Sequence, residues 1–240
     1  MKSLIQNAVS FFDKSIAASQ LFATSSRGDA IVSGYSFLSN VDGREALPAS
    51  CDRRRAGIFY ADIANYSGLT EQDEEGTHHR LVEGMKTMET YITANNGRVA
   101  HTAGDAILAE FKDVDRALHC AVNVQLAARE LNARFHVSER LLFRIGVNFG
   151  DVIADNGDIY GNAVNLAARL EKLADSGGIC VSESVRLELE DNPAFNFVAA
   201  GKQYVKNVSE PVQAFWIEID ARQVVDADFS SSLKVSVMAS

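Results

Sequence analysis

Two aspartates, an asparagine–arginine pair and one histidine have the types and spacing to do chemistry. Asp62 closes the apolar run AGIFYADI, and Asp105 sits in the Ala-Gly-Asp turn between RVAHT and AILAEF, 43 residues further on. Two strand-end carboxylates brought to one sheet end, with a backbone oxygen nearby, suit hard cations such as Mg²⁺ or Mn²⁺. A single aspartate in a turn more often serves the turn itself, so the chemistry rests on the two meeting. Asn165 and Arg169 stand four apart in GNAVNLAARLE and share one helical face. Apolar neighbours put them on the inner part of that helix, where an amide and a guanidinium suit a sugar and an anion. The residues Asn65, Tyr66 and Ser67 follow Asp62 directly, and their backbone N–H groups can cradle phosphate oxygens at the mouth of a helix. His101 stands four residues before Asp105.

These side chains need a scaffold. The apolar run at 57–63 reads as a central strand. From Glu74 to Asn95 apolar residues recur at helical spacing, and Asn95-Asn96-Gly97 stops that helix. RVAHT and AILAEF form a hairpin, Asp113 caps a helix running to about Asn132, and LLFRIGVNFGDVIA is a long strand. Asn156-Gly157-Asp158 is a turn, GNAVNLAARLEKLA a helix, GGICVS a strand and ESVRLELE a short helix, before closing strands FNFVAAG and KQYVKNV…VQAFWIEI. The order β-α-β-β-α-β predicts an α+β fold: a ferredoxin-like βαββαβ core with a C-terminal extension, one sheet with helices mainly on one face. In that topology the first strand and the hairpin are neighbours, so Asp62 and Asp105 can meet.

The flanks read differently. Residues 1–52 divide into a helix with Leu4, Ile5, Ala8, Phe11, Phe12, Ile16 and Phe22 roughly on one face, and a loop rich in Ser, Gly and Asp. Residues 53–219 form the main domain and 220–240 a polar tail. The 240 residues are 47% hydrophobic and 23% charged, a globular composition. The net charge of −9 argues against a nucleic-acid partner. No run of about 18 apolar residues suggests a membrane span. Of three cysteines, Cys120 and Cys180 lie in apolar runs and read as buried thiols, which fits a reducing cytoplasm.

The segments FYADIANYSGL, HTAGDAILAEF, RIGVNFGDVIADNGDIYGNAVNLAARLE and GGICVS, in this order and spacing, closely resemble the class III nucleotidyl cyclases, the adenylate/guanylate cyclase catalytic domain family. The resemblance spans roughly residues 53–219. It implies conversion of a nucleoside triphosphate to a 3′,5′-cyclic monophosphate and pyrophosphate, with two Mg²⁺ or Mn²⁺ ions per active site. On the matching positions, Asp62 and Asp105 are the metal-binding aspartates and Ile63 adds a backbone oxygen. Asn165 positions the ribose, Arg169 stabilises the reacting phosphate, and Lys206 lies where a polyphosphate-binding lysine is expected. His101 and Asp158 take the base-selecting positions.

The resemblance further implies a homodimer with two shared sites, each built from the aspartates of one chain and the base, ribose and arginine contacts of the other. Adenylate-type members carry lysine where His101 stands, and guanylate-type members carry Glu and Cys at the two base positions. Asn65 also replaces a usual glycine, and Asn is the residue that best tolerates that backbone. Hydrogen-bond logic lets Asp158 with a donating His101 hold adenine, cytosine or uracil. A free-standing domain with an altered base pair resembles the cytidylate and uridylate cyclases of bacterial antiphage systems. UTP is therefore expected ahead of CTP, with a separate cyclic-nucleotide-responsive effector. Adenylate cyclase is the alternative, and a non-catalytic nucleotide-binding domain a further one. A diguanylate cyclase would need a GGDEF-like hairpin, which TAGDAI is not.

Overall fold

The computed structural model describes residues 52–204 and 211–219. The expected N-terminal helix and loop, the tail and Lys206 lie outside the described residues. The first strand, β1 (Asp52–Ile63), is apolar and buried from Ala56 to Ala61. Its polar first third extends it beyond what the apolar run predicts. Side chains hold it: Arg54 bonds Glu110 on a neighbouring strand, and the Arg55 guanidinium lies 4.4 Å over the Phe149 ring. After β1 come two helices where one was expected, α1 (Tyr66–Gln72) and α2 (Glu74–Ala94). Asp73 separates them with extended backbone and caps α2 by accepting from the Gly76 N–H at 2.9 Å.

The hairpin β2 (Arg98–Ala103) and β3 (Ala106–Phe111) leads into α3 (Val114–Asn132), whose Asp113 cap accepts from the Asp115 N–H. Next are β4 (Phe143–Asp155), β5 (Asp158–Tyr160), α4 (Asn162–Leu173), β6 (Ile179–Ser182), α5 (Glu183–Glu188), β7 (Asn196–Gln203) and β8 (Val212–Glu218). Asp158 opens β5 rather than closing the turn. Lys202 and Gln203 extend β7, pairing with Gln213 and Val212, instead of beginning the last strand.

The sheet runs β2-β3-β1-β4-β6-β8-β7, with β5 paired to β4. Its first four strands have the ferredoxin-like order. Alternation along the strands gives each face its own core. Phe59, Ala61, Ile107, Phe111, Ile145 and Val147 pack beneath α2 and α3, with Met88, Ile92, Leu118 and Val124 above them. Ile58, Tyr60, Leu108 and Val152 face the other way, with Ile159 and Ala167. So most helices share one face, and α4 covers the other. Gly146 makes that approach possible: a Cβ there would stand 2.2 Å from the Ala167 carbonyl oxygen and 2.4 Å from the Glu171 nitrogen. Both free cysteines among the described residues, Cys120 and Cys180, are buried, as expected. No described helix is long and apolar enough to cross a membrane.

Candidate active site

The antiparallel pairing of β1 with β3 runs to Ala61 opposite Ile107, which sets the end of β1 beside the β2–β3 turn. Gly104 makes that turn at φ 63, the left-handed region. Asp62 and Asp105 then come together. Burial, followed by a hydrogen bond with the Asp62 carboxyl and its charge, pushes Asp105 up to about 7, against the backbone N–H groups of Asp105 and Ile63, which favour its charged form. Two carboxylates this close repel each other, and together they would hold a divalent cation. The all-oxygen donor set suits Mg²⁺ or Mn²⁺. Among the described residues no three His, Cys, Asp or Glu side chains cluster as a metal cage. Further donors would have to be backbone oxygen, substrate or water. Ile63 turns its N–H to Asp105.

Asn65 takes the left-handed conformation, φ 57 and ψ 34, as the residue before α1. The Ala64 N–H is spent on Leu142 O at 2.9 Å, and the first helical bond of α1 is Leu69 N–H to Asn65 O. The N–H groups of Tyr66 and Ser67 thus precede any helical acceptor.

On the α4 face, Asn148 of β4 donates to Ala163 O at 2.9 Å and ties the start of the helix to the sheet. Asn165 and Arg169 lie half-buried one turn apart on α4, and burial pulls the Arg169 guanidinium below its ordinary value. No hydrogen bond or ion pair among the described residues joins Asn165 or Arg169 to Asp62 or Asp105.

The structure brings His101 and Asp158 together within one chain. His101 sits on β2 opposite Leu108, just past an irregularity in the register. The Asn156-Gly157 turn, with φ 48 and 84, is the Asn-Gly hairpin type and delivers Asp158 at the head of β5. Asp158 Oδ1 accepts from the Ile159 N–H at 2.8 Å, and Oδ2 stands 3.6 Å from His101 Nδ1. That is too long for a hydrogen bond.

A charged network braces this pair. Arg98 donates to Gly157 O and, at 2.7 Å, to Glu110 Oε2, and Glu110 Oε1 takes the Arg54 Nε at 2.6 Å. Arg54 above all, with Arg98, holds the Glu110 carboxyl below the usual carboxylate range despite burial. A lowered carboxylate contributes stability above its ordinary pKa and loses it as pH falls through the folded value. Glu110→Gln should therefore cost about 1 kcal/mol in urea melts at pH 7, small because both arginines are part-exposed. The gap should close in acid. A gap unchanged down to acid pH would assign the loss to packing instead.

Two residues that sequence reading passed over join the aspartates. Arg144 of β4 donates from Nη2 to Asp62 Oδ2 at 3.2 Å, and its Nε lies 2.8 Å from Glu171 Oε1 on α4. The Nε–H does not point at that oxygen, so the contact is one of charge rather than a directed hydrogen bond. Glu171 is fully buried. Burial first, then the Asp62 charge, pushes it up to about 7, with Arg144 pulling it down. A signal existed: Glu171 falls four residues after Ala167, on the stripe that packs against the sheet.

Comparison with known proteins gives one family. Residues 50–219 match the adenylate and guanylate cyclase catalytic domain. A Rhizobium meliloti (strain 1021) protein provisionally named adenylate cyclase 3 is 37% identical over 164 residues, 68% of this chain and 28% of that protein. An adenylate cyclase of Streptomyces coelicolor is 30% identical over 145 residues, 59% of this chain and 36% of its own length. The chain thus spans about a third of the length of these relatives. The crystal structure of an adenylate/guanylate cyclase/hydrolase from Silicibacter pomeroyi superimposes with a TM-score of 0.64 at 36% identity, over 71% of this chain and 99% of that one.

Proposed function

Because the chain belongs to the adenylate and guanylate cyclase catalytic domain family, we propose that it converts a nucleoside triphosphate to a 3′,5′-cyclic monophosphate and pyrophosphate. The observation that carries this is the meeting of Asp62 and Asp105 at the β1 end, on a sheet that also presents His101 beside Asp158. In the reaction the ribose 3′-oxygen loses its proton and bonds to the α-phosphorus, and the bond from that phosphorus to the β-phosphate oxygen breaks. Asp62, Asp105 and the Ile63 carbonyl would hold two Mg²⁺ or Mn²⁺ ions, which when bound lower the pKa of the 3′-hydroxyl and neutralise the triphosphate. Asn165 orients the ribose. Arg169 offsets the negative charge that grows on the reacting phosphate. The N–H groups of Asn65, Tyr66 and Ser67 meet phosphate oxygens. In the working enzyme a second copy of the chain completes each site.

Asp158 accepts from the base and His101 donates to it. Uracil satisfies this pair with N3–H and O4, and cytosine with its amine and N3. The departure from lysine at His101, shared with the pyrimidine cyclases that the sequence resembles, supports UTP first and CTP second. The product would then signal to a separate effector in antiphage defence. A second reading, ATP to cAMP, is supported by the names of the relatives and by Asp158, which suits the adenine amine.

The test incubates the purified chain and Mn²⁺ with ATP, GTP, CTP and UTP separately and resolves products by mass. Cyclic UMP with pyrophosphate is the expected outcome. Cyclic AMP alone would decide for the second reading, and no cyclic product from any nucleotide would overturn both.

A further inference from the structure

Glu171 poses a physical question that the reaction leaves unanswered. Its carboxylate is wholly buried, and neither oxygen has a hydrogen-bond partner among the described residues. A buried carboxylate in that state is costly and is tolerated only beside a cation. The cation is Arg144, whose other end donates to Asp62. Asp62, Arg144 and Glu171 therefore form a row of charges, minus-plus-minus, reaching from the end of β1 across β4 to α4.

The row bears on what Asp62 can bind. A lone Arg144 would put its whole charge on the Asp62 carboxylate and compete with any cation for it. Glu171, on the far side of the guanidinium, shares that charge and leaves Asp62 more negative. With all four groups ionised, Asp62, Asp105, Arg144 and Glu171 sum to −2, which one divalent ion balances; without Glu171 they sum to −1.

We propose that Glu171 is a positioning residue for the metal-facing carboxylates: it shares the Arg144 guanidinium with Asp62 and so leaves Asp62 available to a divalent cation. This rests on the reading that Asp62 and Asp105 hold the metal.

The experiment titrates Mn²⁺ into the full chain without nucleotide and follows the free-ion signal by electron paramagnetic resonance. Glu171→Gln should weaken Mn²⁺ binding about five-fold, the scale of one charge acting through protein at this range. Arg144→Gln should strengthen it by a similar factor, and the double variant should bind like Arg144→Gln, since Glu171 acts through a guanidinium that is no longer there and residues in contact do not add. A merely structural role for Glu171 would lower the melting temperature without this opposed pair of shifts. Should Glu171→Gln melt too early to titrate, Arg144→Gln decides alone. Unchanged or tighter binding in Glu171→Gln, or weaker binding in Arg144→Gln, would overturn the inference. Asp62→Asn separates the two levels. If it abolishes Mn²⁺ binding while Glu171→Gln matches wild type, only the role of Glu171 falls. If the wild type takes up no Mn²⁺, or Asp62→Asn binds as the wild type does, the metal reading falls and the inference with it.

Discussion

Asp62→Asn and Arg169→Ala should each lose at least about a thousandfold in cyclisation rate, and mixing the two should restore about a quarter of wild-type activity. The single losses follow from what each group would do. Asparagine in place of Asp62 removes one of the two carboxylates that meet at the β1 end, and the other, Asp105, is already held by it. Alanine at 169 removes the half-buried guanidinium on α4. The recovery follows from symmetry. Within one chain, no hydrogen bond or ion pair among the described residues links the Asp62–Asp105 pair to Asn165 or Arg169. In a two-fold dimer with shared sites, a mixed dimer carries both lesions in one site and neither in the other. Random assortment makes half the dimers mixed, and each has one intact site of two, hence the quarter. Pyrophosphate release from co-expressed chains, with mixed dimers counted by native mass spectrometry, gives the measurement. Mixed dimers without activity would sink the shared-site reading.

How much of this was legible in the sequence depended on what holds each piece. Burial is written in pattern, so the βαββαβ order and the apolar half of β1 could be read directly. The meeting of Asp62 with Asp105 followed from topology, because adjacent strands fix where their ends lie. Pattern failed where side-chain charge does the holding. The first residues of β1, Arg53–Arg55, are exposed and polar, and the Arg54–Glu110 contact that secures them spans 56 residues. The pairing of Arg144 with Glu171 was not legible for a related reason. Each lies among apolar residues on an element read correctly, but their pairing exists only because Gly146 lets α4 come down on β4. A charge on an apolar stripe marks such a site without naming its partner.

The base pair was half legible: Asn-Gly announced the turn that presents Asp158, but not that Arg98 would pin Gly157 and set Asp158 3.6 Å from His101. If His101 faces the base as proposed, His101→Lys is the substitution that tests substrate choice. The imidazole of His101 is part-exposed, stands 3.6 Å from Asp158 Oδ2, and is able to donate or accept. Lysine carries three donors, no acceptor and a fixed charge, on a longer stem. An ammonium suits a base edge with a ring acceptor beside an amine, such as adenine N1 and its exocyclic nitrogen, the amine being taken by Asp158. A hydrogen bond from a charged donor contributes about 1.5–3 kcal/mol. The ratio of kcat/KM for ATP over that for UTP should therefore rise about a hundredfold in His101→Lys. Because no hydrogen bond or ion pair among the described residues joins His101 to Asp62 or Asp105, Mn²⁺ affinity should stay at the wild-type value. Steady-state rates on both nucleotides check the ratio. An unchanged ratio would mean that His101 does not face the base, and that Asp158 with groups outside this pair selects the substrate.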